Sequence, residues 1–113
     1  MLYKKDTHTT EYREHMRGGD GTVELTTLAR EIPKNLRLYT MIRLVPGASI
    51  GYHVHENETE IFHFLSGSGA VDDNGEKVRV SAGDTLSTPS GCGHAVKNDG
   101  DEGLVFLAVI VRD

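Results

Sequence analysis

Three histidines and one glutamate carry most of the chemistry this sequence offers. His53-Val54-His55 sets two imidazoles on one face of an extended segment, about 6.7 Å apart along the backbone. Rings leaning together from that spacing can both approach a metal ion at about 2.1 Å. Glu60 has the opposite parity to both histidines, so an unbroken strand would send it to the other face. The polar stretch Glu56-Asn57-Glu58-Thr59 reads as a reversal that lets Glu60 return on the neighbouring strand. His94 arrives from a third strand, behind the tight turn Pro89-Ser90-Gly91-Cys92-Gly93. Three neutral imidazoles and a carboxylate make a mixed N/O donor set. Such a set suits a divalent transition ion and leaves one or two positions open.

The elements that must position these residues read as strands. Leu36, Leu38, Thr40, Ile42 and Leu44 alternate with Arg37, Tyr39, Met41 and Arg43, the period-two pattern of a half-buried strand, and Pro46-Gly47 ends it. Short runs of the same kind follow at Gly51–His55, Glu60–Leu65, Gly69–Asp72, Lys77–Val80, Thr85–Thr88, His94–Lys97 and Leu104–Val111. Asp73-Asn74-Gly75 is a strong two-residue hairpin signal. No window past residue 36 keeps a helical apolar period for three turns, so the chain reads as an all-β sandwich or barrel. The first thirty residues are polar and broken by Arg17-Gly18-Gly19-Asp20-Gly21. They read as an arm with one strand, Thr22 to Leu28.

The two blocks around the candidate ligands resemble a known family. Gly47, then His53-x-His55, Glu60 and Gly67 match the first cupin motif at each fixed position and spacing. Gly83, Pro89-x-Gly91, His94 and Asn98 match the second motif equally completely. The resemblance implies a single cupin domain over residues 1–113, with motif one at 47–67 and motif two at 83–98. Its fold would be a double-stranded β-helix, a jelly-roll barrel spanning residues 36–112. It also implies one metal in the barrel mouth on His53, His55, Glu60 and His94, with manganese or iron ahead of nickel, zinc or copper, and a homodimer. The fold and the motifs leave the reaction open among dioxygenases, decarboxylases, isomerases and pure binding modules.

Other signals carry less. Phe62 and Phe64 share a face with Glu60 and are expected, with Leu86, to wall the pocket; Cys92 lies close to the mouth. His63 points the other way. Glu56 and Glu58 read as solvated loop residues, with a proton-carrying role for Glu58 as the minority reading. Arg17, Arg43 and His15 would pair with a substrate carboxylate only if their segments lined the mouth, and surface exposure is the expectation. Gly47-Ala48-Ser49-Ile50-Gly51 imitates a hydrolase nucleophile elbow, but that motif needs a following helix and a doubly wound sheet.

Composition narrows the function classes. In 113 residues, 37% hydrophobic and 26% charged, there is enough apolar matter for one core and too much for a disordered chain. A net charge of −5 speaks against a nucleic-acid partner, since phosphates require a basic face. One cysteine allows no internal disulfide. The longest apolar run, Leu104 to Val111, is far short of a membrane span, and the N-terminus lacks the apolar core of a secretory signal. The expected protein is cytoplasmic, binds no membrane, and takes a small oxygen-rich metabolite: a carboxylate, keto acid or sugar-like molecule. It would act on that ligand at the metal, or hold it as a non-catalytic sensor or storage module would.

Overall fold

A computed structural model describes all 113 residues. Alternating sequence becomes ten strands: β1 (Thr9–Glu14), β2 (Thr22–Thr27), β3 (Leu36–Leu44), β4 (Ser49–Val54), β5 (Glu58–Ser66), β6 (Ser68–Asp73), β7 (Glu76–Ser81), β8 (Thr85–Thr88), β9 (Gly93–Lys97) and β10 (Leu104–Arg112). All pairings are antiparallel. One sheet runs β1-β2-β3-β10-β5-β8 and the other β4-β9-β6-β7. Together they form the double-stranded β-helix.

The inward residues of both sheets meet in one core. Ile42, Phe62, Phe64, Leu104, Phe106 and Ala108 come from the larger sheet; Ile50, Val71, Val80 and Val96 come from the smaller. Phe106 packs against Phe62 and Phe64 at ring-centroid distances of 4.6 and 5.2 Å. Each such buried ring contributes roughly 1.5–3 kcal/mol of transfer free energy. The expected hairpin is present: Asn74 and Gly75 both take positive φ (50° and 99°), as a two-residue turn between β6 and β7 requires. Asn98 is fully buried. Its amide donates to the Leu44 and Glu102 carbonyls (2.9 and 2.7 Å), and its oxygen accepts from the Gly100 N–H (3.0 Å). It thereby ties the end of β3 to the turn before β10.

The N-terminal segment holds more structure than its sequence signals. The strand expected at Thr22 to Leu28 is β2, which pairs with β3 and places Val23 and Leu25 in the core. A second strand, β1, pairs along its whole length with β2. All six of its residues are exposed, so no apolar alternation announces it. Between the two strands, the 3₁₀ turn Met16–Gly18 lies against β4. A Cβ on Gly51 would collide with the Arg17 carbonyl, and one on Gly19 with the Ser49 carbonyl, so only glycines permit this approach.

Candidate metal centre

His53 and His94 face each other across β4 and β9, and a β-bulge puts them there. Ile50 is paired with Val96 and His53 with His94, so Gly51 and Tyr52 together oppose the single Ala95. The extra residue shifts the parity, bringing His53 to the inner side with Ile50 while Tyr52 and Val54 stay about half exposed. His55 lies just beyond the end of β4. Its N–H donates to the Cys92 carbonyl (3.0 Å), and its carbonyl accepts from the Gly91 N–H (2.7 Å). The turn before β9 thus holds His55 as well as leading to His94.

Glu60 arrives differently from expectation. The chain reverses at Asn57, whose φ is 61°, but β5 then enters the opposite sheet rather than pairing beside β4. The carboxylate therefore reaches the histidines across the sandwich. This solves the parity problem by a change of sheet.

The four side chains converge. The Nε2 atom of His94 lies 3.2 Å from Nε2 of both His53 and His55. Glu60 Oε1 is 2.9 Å from His55 Nε2 and 3.0 Å from His94 Nε2. The three rings meet at 71–81° to one another. His55, Glu60 and His94 are buried, while His53 is partly exposed.

The opposite edges of the rings decide what this cluster wants. His53 Nδ1 donates to the Gly51 carbonyl (2.8 Å), within the bulge. His55 Nδ1 donates to Glu58 Oε2 (2.6 Å). Neither acceptor can donate, so the neutral rings carry their protons on Nδ1 and present bare Nε2 lone pairs to the centre. His94 Nδ1 lies 2.7 Å from the hydroxyl of Thr88, which accepts in the same tautomer. Three nitrogen lone pairs and a carboxylate oxygen then face one another with no proton between them, an arrangement a cation stabilises. An ion about 2.1 Å from each donor would separate neighbouring donors by about 3.0 Å at right angles, or about 3.4 Å in a tetrahedron. The four shortest donor separations, 2.9–3.2 Å, with all four donors within 4.8 Å of one another, fit a single divalent ion. The group His53, His55, Glu60 and His94 could therefore hold a metal.

Glu58 is a site residue that the sequence reading misplaced in solvent. It is the first residue of β5, only 13% of its side chain is exposed, and Arg37 clamps it with two hydrogen bonds of 2.8 Å. Arg37, seconded by His55, holds its carboxyl down at about 2 against the opposing effect of burial. Burial pushes the His53 imidazole below its ordinary value. The Gly51 hydrogen bond opposes this, and the nearby His94, Arg17 and His55 add to the depression. That keeps the partly exposed ring neutral and available as a donor.

A cavity of about 710 Å³ opens beside the cluster. His53, His55, Glu60 and Phe62 form its foot, Leu25, Ile42 and Ile50 part of its wall, and Arg13, Arg17, Arg37, Glu11 and Glu14 its charged rim. Of the expected wall residues, Phe62 lines it and stacks on His94 at 4.7 Å. Phe64 and Leu86 are core residues away from the cavity, and Cys92 meets the site only through its carbonyl. His63 faces outward and bonds Thr85. Arg43 pairs with Glu24 elsewhere, and His15 bonds the Gly19 carbonyl. Ser49 sits in a strand, with its hydroxyl accepting from the Asp20 N–H, so the elbow-like motif is structural.

The sequence profile of the family described as "Cupin domain" matches residues 40–110. The chain is a cupin. Over 98% of its length this cupin is 42% identical to an oxalate-binding protein from Thermotoga maritima, of which 93% is covered. It superposes on the crystal structure of a predicted oxalate decarboxylase from Thermotoga maritima with a TM-score of 0.92, at 40% identity and with both chains fully covered. It is also 35% identical to an oxalate decarboxylase from Bacillus subtilis over 65% of this chain, a match that covers 20% of that longer protein. No helix in the cupin is long and apolar enough to cross a membrane.

Proposed function

We propose that this cupin binds a small dicarboxylate of the oxalate type at a divalent metal ion held by His53, His55, Glu60 and His94, without turning it over. The observation that carries the reading is the convergence of the three Nε2 atoms and Glu60 Oε1 at the foot of the cavity, with the far ring edges already engaged. Manganese or iron suits a donor set of imidazoles and carboxylate. When bound, such an ion supplies positive charge and open positions for carboxylate oxygens.

The chain's own residues set the terms of binding. Glu60 supplies one negative charge against three neutral rings, so the loaded site keeps a net positive charge and attracts an anion. Leu25, Ile42, Ile50 and Phe62 keep the foot of the cavity poor in competing polar groups. Binding is favoured over turnover because Glu58, the carboxylate beside the donor set, has its oxygens committed to Arg37 and His55 and does not line the cavity. The identity of the 42% relative supports the ligand class.

Isothermal titration of oxalate into manganese-loaded and chelator-treated protein tests the proposal. One oxalate per chain should bind the loaded protein, with affinity at least a hundredfold weaker after chelation. Equal affinity in both samples would reject a metal-borne site, and loss of oxalate during incubation would reject a pure binder.

A further inference from the structure

The protein has seven arginines, and six have a partner. Arg13 pairs with Glu11, Arg37 with Glu58, Arg43 with Glu24 and Arg79 with Asp99. Arg112 donates to the Lys34 and Leu36 carbonyls, and Arg30 lies over the Tyr3 ring. Arg17 alone makes no ion pair, side-chain hydrogen bond or cation–π contact, and it lines the same cavity as His53, His55 and Glu60.

Its backbone is unusual as well. Arg17 sits at φ 55° and His15 at φ 52°, in the left-handed region that side-chain-bearing residues rarely adopt. Gly18 follows immediately, and glycine at either position would be free of that strain. The surrounding structure holds the strained turn in place: the Gly19 and Gly51 contacts seat it on β4, and the Gly51 carbonyl in the bulge beneath accepts the hydrogen bond that orients His53. Backbone strain of this kind clusters at ligand-binding sites.

We infer that Arg17 is the specificity-determining residue of the site, taking the far carboxylate of a diacid whose near carboxylate meets the metal. The inference rests on the metal-borne carboxylate site proposed above and goes beyond it by naming what selects a dianion over a monoanion. A guanidinium fork matches a carboxylate with two parallel charge-assisted hydrogen bonds, and Arg17 has its donors unspent. The cavity, at about 710 Å³, has room for diacids longer than oxalate.

The test titrates manganese-loaded protein with oxalate, malonate and succinate, each beside a monocarboxylate of equal length: glycolate, propionate and butyrate. Wild type should bind at least one diacid ten- to a hundredfold more tightly than its partner. Arg17→Gln and Arg17→Gly should both erase that preference while keeping one metal per chain. Arg17→Gly should melt no lower than wild type, because glycine accepts the left-handed backbone. Persistence of the preference in both variants, or no preference in wild type, overturns the role of Arg17. Monocarboxylate and diacid binding that is unaffected by chelation would instead overturn the metal-borne site beneath it.

Discussion

Replacing His94 by alanine is expected to weaken metal binding by at least tenfold. Its Nε2 is the hub of the cluster, within 3.2 Å of both other imidazole donors and 3.0 Å of Glu60. Losing one donor of four removes a bond that the other three cannot replace, because each is fixed from behind by Gly51, Glu58 or its own strand. The same change vacates the ring that stacks on Phe62 and strips Thr88 of its partner. An orphaned buried hydroxyl costs about 1–3 kcal/mol, so the metal-free variant should also melt below wild type. Competition against a chromophoric chelator reads the affinity. His63→Ala, which alters an outward ring bonded to Thr85, serves as the matched control and should change nothing. Unaltered affinity in the His94 variant would remove it from the ligand set.

Glu58→Gln is expected to weaken metal binding ten- to a hundredfold without replacing any of the four donors. The Glu58 carboxylate accepts the Nδ1 proton of His55, which fixes the ring's tautomer and raises the basicity of its Nε2. A glutamine oxygen can accept the same bond but brings no charge, and it leaves the Arg37 guanidinium without its counterion. The substitution should also alter the acid response of the metal-free protein. Glu58 ionises at about 2 in the fold, against an ordinary 4.5, chiefly because of Arg37. A depressed carboxyl contributes stability that is complete above pH 4.5 and is lost as pH falls toward about 2. Urea unfolding between pH 7 and pH 2 should therefore show less acid destabilisation in Glu58→Gln than in wild type. Identical pH profiles would mean that the Arg37–Glu58 pair contributes nothing to stability.

Much of the candidate site is legible in the sequence, and the gaps have physical causes. β3 and the strands after it announce themselves because one face is buried and the other wet, so apolar residues alternate. β1 has no buried face and therefore no pattern. The spacing around His53, His55, Glu60 and His94 marks a possible donor set, yet two of the devices that assemble it are silent. The bulge at Gly51-Tyr52 changes parity without any change in composition. The transfer of Glu60 to the opposite sheet depends on where strand pairing closes, which periodicity does not encode. Glu58 looked like a solvated loop residue because its partner, Arg37, lies 21 positions away. Its separation of three from His55 was the one local signal. Thr88 had none, since it meets His94 only through the register of β8 against β5 and Glu60.

The central claim is that three Nε2 atoms and one carboxylate oxygen enclose a single ion. Anomalous diffraction from a crystal of manganese-loaded protein tests it most directly. One strong peak per chain is expected, within bonding distance of Nε2 of His53, His55 and His94 and of Glu60 Oε1. A saturated crystal with no peak there, or with its strongest peak elsewhere on the chain, would contradict it.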